Sequence, residues 1–252
     1  MDDGSFHMFG LSHAVAMLVT VAAGVFMVRL NRSRTAAPRA KRTANAVLAA
    51  VLLFSVFIDP LSLWLRYHQD PEEYLHYLCR DALPLHLCDA AALVLAWALI
   101  KRNQRGAELG YLWGLSGTLQ GLLTPALKYD WDSLDYYGFF AQHGGVPVAA
   151  VALAFGAGLS PQPGALWRAL RWSWAYMAVA GLCDWLLQVN YGYLSAPPEG
   201  ASLIDHLGPW PWYLLSLQGV GIIFYSLLLL PFRRRRTKQK PAAPGNPLPA
   251  SP

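Results

Sequence analysis

The sequence predicts an all-α, polytopic membrane protein: a seven-helix transmembrane bundle with its N-terminus outside and its C-terminus cytoplasmic. Composition, apolar run length and the placement of basic residues carry this reading. The chain is 55% hydrophobic and only 14% charged, against about 25% charged in an average soluble protein. So few charges cannot cover the surface of a soluble domain of 252 residues. A typical soluble enzyme and a disordered chain are thereby excluded, and three cysteines are too few for a disulfide scaffold. The net charge of +5 resembles a nucleic-acid signal, but its distribution is that of a membrane protein, and no nucleic-acid partner is expected.

A bilayer core of about 30 Å is crossed by roughly 20 apolar residues in a helix. Seven stretches meet that length: Phe9–Val28, Asn45–Leu65, Leu83–Ile100, Ala107–Leu127, Phe139–Leu159, Trp172–Tyr191 and Trp212–Phe232. The first begins Met1-Asp2-Asp3 and is followed, not preceded, by basic residues. It is therefore expected to be an uncleaved helix rather than a signal peptide. The fourth carries Gly110, Gly114, Gly117 and Gly121, which form two G-x-x-x-G pairs, a pattern that lets helices approach closely. The seventh opens on Trp210-Pro211-Trp212-Tyr213, an interfacial aromatic anchor.

The loops assign the orientation. The clusters Arg29–Arg42, Lys101–Arg105, Arg168–Arg171 and Arg233–Lys240 place 17 of the 20 basic residues on one side. Only Arg66, Arg80 and Lys128 fall on the other. This alternates correctly across all seven stretches and makes the richer side cytoplasmic. Residues 1–232 then form the transmembrane domain, and 233–252 a basic, Pro/Ala-rich disordered cytoplasmic tail near anionic headgroups. The expected location is the cell inner (plasma) membrane, as a multi-pass protein with membrane lipids as partners. No cofactor motif is found, and oligomeric state is not encoded in any readable pattern.

Ionisable groups inside a membrane mark function. All seven histidines, together with Asp59, Asp89 and Asp184, fall in the outer halves of the stretches or outside them. That asymmetry predicts one polar cavity open to the outer leaflet. Pro84 is expected in the first turn of the third helix, which puts Cys88 roughly 7 Å below its start. His143 lies equally far into the fifth stretch. A thiol becomes a good nucleophile beside a histidine and a helix N-terminus, so Cys88 and His143 are the candidate catalytic pair. His86 points away from Cys88, yet shares a face with Asp89 and is expected to pair with it. Asp184 and Gln188 share a face near the top of the sixth stretch. The candidate substrate-binding set is His86, Asp89, Thr124, Gln142, Asp184, Gln188, Asn190, Trp210 and Tyr213. An inert buried cysteine, a helix-bridging histidine and a capping Thr124 are the structural readings of the same residues.

The run Leu83-Pro84-Leu85-His86-Leu87-Cys88 resembles the YwaF-like family of bacterial integral membrane proteins. Leu122–Pro125, Phe139–Gly144, Asn190–Leu194 and Pro198–Leu203 followed by Gly208–Tyr213 carry the same resemblance, in order. That family is similar to the transmembrane protein 164 family, regarded as cysteine-dependent phospholipid acyltransferases, and more distantly to the androgen-induced lipid hydrolases. The resemblance implies that Cys88 accepts an acyl group and His143 is its base.

The expected function is a lipid acyltransferase or acyl hydrolase working through a thioester. A metal-dependent hydrolase using His86, His143, Asp89 or Asp184 is the second reading; the chain lacks H-x-x-x-H and H-E-x-x-H spacings, and no metal is expected. A seven-helix transporter or small-ligand sensor is the alternative without catalysis, although no inverted repeat is visible.

Overall fold

The computed structural model describes residues 5–125, 127–198 and 203–233. The tail expected to be disordered lies, from residue 234 on, outside the described residues, as do Glu199–Ser202 of the resemblance. The described residues are helical, with no β-strand beyond an isolated antiparallel bridge from Ser5 to Tyr129.

Helix α1 spans Leu11–Arg32 and α2 spans Pro38–Tyr67. Arg29 and Arg32 close α1 where the helix dipole favours cations, and Pro38 opens α2 at a position that needs no N–H. The two helices are tied by a reciprocal amide pair, Asn31 and Asn45, with both N–H···O contacts at 3.1 Å. Asp70 caps the short α3 (Pro71–Tyr77) by accepting from the Glu73 N–H at 3.0 Å. A wide π-turn, Leu78–Ala82, extends α3.

The chain then bends by 78° before α4, Leu87–Lys101. The cause is local. A residue before proline is pushed out of the helical region, and Leu83 accordingly sits at φ −70°, ψ 142°. Pro84 thus belongs to the break and not to the first helical turn. His86 is the N-cap, and Cys88 is the second residue of α4 rather than one turn into it.

Helix α5 (Gln104–Trp113), a π-turn (Gly114–Thr118) and α6 (Leu119–Leu123) run on without interruption. Asn103 caps this rod by accepting from the Gly106 N–H at 2.7 Å. Helix α7 spans Leu134–Val151 and continues as a π-turn to Gly156. It starts five residues before the expected Phe139 because Ser133 caps it, accepting from Asp135 N–H. His143 therefore lies in the third turn of α7, so equal distance from two helix starts does not relate it to Cys88. Helix α8 is Ala165–Leu187, and α9 is Trp212–Arg233.

Helix α4 is the centre of the bundle, with Ala91, Ala92, Leu95, Ala96, Ala98 and Leu99 buried. Glycines set how closely its neighbours approach. A methyl group on Gly110 would stand 2.4 Å from Leu95 Cγ, and one on Gly114 2.7 Å from Val146. Gly138 and Gly144 of α7 meet Ile58 of α2 and Thr20 of α1 in the same way. Large apolar side chains remain exposed on the outside, among them Leu18, Phe57, Trp185 and Ile223, a belt suited to hydrocarbon. Helix α9 is the least buried of the four long apolar helices, and outside its own backbone no atom comes within 4 Å of where a side chain on Gly219 or Gly221 would begin.

Among the described residues four helices are long and apolar enough to cross a membrane: Leu11–Arg32, Pro38–Tyr67, Leu134–Gly156 and Trp212–Arg233. A fifth crossing results if the bent pair Pro71–Ala82 and Leu87–Lys101 is taken as one. Helix α8 falls short because Arg168, Arg171, Asp184 and four tryptophans dilute its hydropathy.

Gly110→Ala is expected to force Leu95 aside and to destabilise the bundle by about 1–3 kcal/mol. Thermal unfolding in detergent measures this, and Gly219→Ala, in open space, serves as the neutral comparison.

Candidate functional site

A cavity of about 750 Å³ opens between α2, the 81–89 turn, α5–α6, α7, α8 and α9. Its wall is mostly apolar, with polar groups concentrated near the break before α4. Cys88, His143, His86, Asp89, Thr124 and Gln142 all line it. So do Asp59 of α2, Asp81 before the break and Asp135 at the start of α7.

The break that delivers Cys88 is held by two tyrosines. Tyr191, 1% exposed, accepts the Leu83 N–H and donates to the Cys79 carbonyl, both at 2.9 Å. Tyr176 of α8 donates to the Leu85 carbonyl at 2.9 Å. The His86 N–H donates to Asp89 Oδ2 at 3.0 Å. His86 and Asp89 thus do pair, through the Asp89 carboxylate and the His86 backbone N–H. The ring faces the Gly192 N–H and lies edge-on to Tyr191, 4.9 Å between centroids.

The other Asp89 oxygen accepts from Gln142 Nε2 at 2.6 Å. Asp89 follows Cys88 and Gln142 precedes His143, so this bond fastens α4 to α7 beside both candidate residues. His143 Nδ1 lies 3.0 Å from the Phe139 carbonyl. A carbonyl only accepts, so Nδ1 carries the proton and Nε2 presents a free lone pair. The imidazole also stacks on the Phe139 ring at 4.0 Å and 16°. Its far edge lies against Gly121, where a methyl group would stand 2.4 Å from Cδ2 and 2.8 Å from Nε2. Among the described residues no hydrogen bond joins Cys88 to His143; what they share is the cavity.

The remaining five candidates do not line the cavity. They build the segment beside it. Asp184 is buried and accepts from the Tyr191 N–H at 2.7 Å. Gln188 ends α8 in the left-handed conformation and turns back to the Trp185 carbonyl. Asn190 accepts from the N–H groups of Ser195 and Ala196. Trp210 donates to the Leu194 carbonyl and Tyr213 to the Tyr193 carbonyl. Together they fix the 190–196 segment, which carries Tyr191 to the break and Tyr193 to the cavity wall.

Two contributors to the site were not singled out from the sequence. Gly121 was assigned to packing alone, and its four-residue spacing conceals that it makes room for His143. Tyr176 carried no signal, whereas Tyr191 was expected among the polar residues that close the sixth stretch, with Asp184, Gln188 and Asn190. Among the described residues no three His, Cys, Asp or Glu side chains gather closely enough to hold a metal ion.

The model of the TMEM164 family matches residues 8–229. The chain belongs to the TMEM164 family. The YwaF-like resemblance is consistent with that match. No curated protein and no solved structure matches the chain. Family membership and the long apolar helices together make this TMEM164 family member a multi-pass membrane protein.

Tyr191→Phe in this family member leaves the Leu83 N–H and Cys79 carbonyl unpaired where water is scarce, an expected cost of about 1–3 kcal/mol. Thermal unfolding measures it, and an unchanged melting temperature would contradict the clamp described above.

Proposed function

We propose that this protein is a cysteine-dependent lipid acyltransferase or acyl hydrolase, with Cys88 as nucleophile and His143 as base. The observation that carries the reading is the lining of one mostly apolar cavity by both residues, with His143 Nε2 left as a lone pair. Family membership supports it, since the resemblance implies a cysteine and a histidine at these positions.

In the proposed reaction, Cys88 gives its proton to His143 Nε2 as its sulfur attacks the carbonyl of a phospholipid ester. The C–O bond breaks, His143 returns the proton to the departing lyso-lipid oxygen, and an acyl thioester remains on Cys88. Water or a second lyso-lipid hydroxyl then gives its proton to His143 and attacks the thioester. The C–S bond breaks and the thiol is restored. The positive end of α4, where Cys88 sits, favours the negative charge that develops on the carbonyl oxygen. The Gln142–Asp89 bond holds the two helices in register, and the apolar wall suits an acyl chain. His86 and Thr124 line the same space and contact the substrate in this reading. Asp184, Gln188, Asn190, Trp210 and Tyr213 support it from behind.

The same proposal takes the chain through the membrane seven times, with α5–α6 and α8 as the two spans whose hydropathy is lowest. The N-terminus is then outside, the C-terminus cytoplasmic and the cavity mouth in the outer leaflet of the inner membrane. The distribution of basic residues supports this orientation.

Intact mass of the purified protein after incubation with mixed phospholipids tests the chemistry. A hydroxylamine-sensitive acyl adduct is expected on the wild type and not on Cys88→Ala. His143→Ala is expected to slow its formation by roughly 10²–10⁴-fold. Gly121→Ala, which displaces the imidazole, is expected to slow it on the order of 10²-fold. An unmodified wild type with every lipid unchanged would overturn the proposal and favour the transporter or sensor.

A further inference from the structure

A second concavity, of about 510 Å³, lies between the first turns of α5 and α8 and shares no lining residue with the large cavity. It holds three arginines, Arg105, Arg168 and Arg171, against one carboxylate, Glu108. The carboxylate is already committed. Glu108 is 2% exposed and is gripped by Arg168 through Nε at 2.6 Å and Nη2 at 2.7 Å. It also accepts the Gln162 N–H at 2.8 Å. This arrangement pins the loop before α8 onto α5 and spends the charge of Arg168. Arg168 Nη1 is taken as well, by the Pro163 carbonyl at 2.7 Å.

The other two arginines are not so engaged. Arg105 stands 3.8 Å from Glu108 and is largely exposed. Arg171 makes no hydrogen bond or ion pair with any described residue. One of these arginines comes from each helix, and the rest of the lining is apolar apart from Glu108 and Arg168: Leu109, Ala169, Trp172 and Ala175. Two guanidinium groups, Arg171 with no described partner and Arg105 in one long, exposed ion pair, beside apolar side chains match one ligand chemistry: a phosphate with hydrocarbon attached. Guanidinium binds phosphate oxygens through paired N–H groups. An indole at a membrane boundary sits where headgroup meets chain, and Trp172 is exposed beside the groove. Both helices begin here, so their dipoles add positive potential at the same end.

We propose that this groove binds an anionic phospholipid, with its phosphate between Arg105 and Arg171 and an acyl chain along Leu109 and Trp172. The site is separate from the cavity of Cys88 and His143 and does not depend on the reaction proposed there. It holds a resident lipid and is not a site of chemistry.

Native mass spectrometry of the purified full-length protein tests this, using phosphatidylglycerol and phosphatidylcholine of identical chains. The wild type is expected to retain phosphatidylglycerol in preference to phosphatidylcholine. Arg105→Gln with Arg171→Gln is expected to lower that retention roughly 30-fold, from about 1 kcal/mol for each arginine near a lipid surface. Arg34→Gln with Arg39→Gln removes the same charge from the exposed α1–α2 connection and first turn of α2 and is expected to change nothing. An excess of inorganic phosphate is expected to leave the lipid in place. Equal retention of the two lipids, equal loss in the two double variants, or displacement by inorganic phosphate would each overturn the proposal. The paired substitutions lie on exposed side chains, and an unchanged melting temperature confirms that the variant is folded.

Discussion

Hydrocarbon offers no hydrogen bonds, so a backbone that leaves the helix at membrane depth must find partners within the protein. The break from Leu83 to His86 is where this chain's backbone leaves the helix between α3 and α4 and finds such partners. Tyr191 serves one N–H and one carbonyl, Tyr176 serves another carbonyl, and Asp89 serves the N–H of His86. Much of the site follows from these bonds. They require α8 and the 190–196 segment to stand beside α4, and they fix where α4 starts. The start of α4 in turn places Cys88 at the cavity wall.

The polar residues of the site therefore divide by task. Asp89 and Gln142 link α4 to α7, and His143 orients itself on Phe139 within its own helix. Asp184, Asn190, Trp210 and Tyr213 act on backbone groups of the 190–196 segment. Removing any of the latter would disturb the cavity without touching what occupies it. Glu108 and Arg168 play the comparable structural part at the other end of α8, where their mutual commitment leaves Arg105 only a long ion pair and Arg171 no partner among the described residues.

Helical identity was legible in the sequence wherever apolar runs were long. Helices α1, α2, α7 and α9 fall on four of the expected stretches, because unbroken hydropathy leaves few alternatives. Depth was not legible. Pro84 suits a first helical turn equally well by composition, and only the extended geometry it imposes on Leu83 moves the start of α4 to Leu87. Likewise Ser133 caps α7 outside the apolar run, and hydropathy does not report a cap. The cavity residues near the break were legible because ionisable groups are rare in such a chain. The polar residues from Asp184 onward have the same composition but serve backbone groups, a distinction that depends on loop conformation. Gly121 was hidden by its neighbours, since one glycine spacing serves helix packing at Gly110 and clearance for a side chain at Gly121.

His143 takes its orientation from a carbonyl four residues earlier in the same helix. Among the described residues no separate acid or amide aims it, so the direction of its lone pair is a property of helical phase. Each residue of an α-helix advances the phase by about 100°. The connections outside the bundle are thus free to lengthen or shorten over evolutionary time, whereas α7 between Ser133 and the contacts of Gly144 is closed to insertion or deletion. One residue gained there would turn the imidazole out of the cavity while every hydrogen bond of the helix survived. Homologues of this architecture should therefore differ in loop length, with the segment from Ser133 to Gly144 held at constant length.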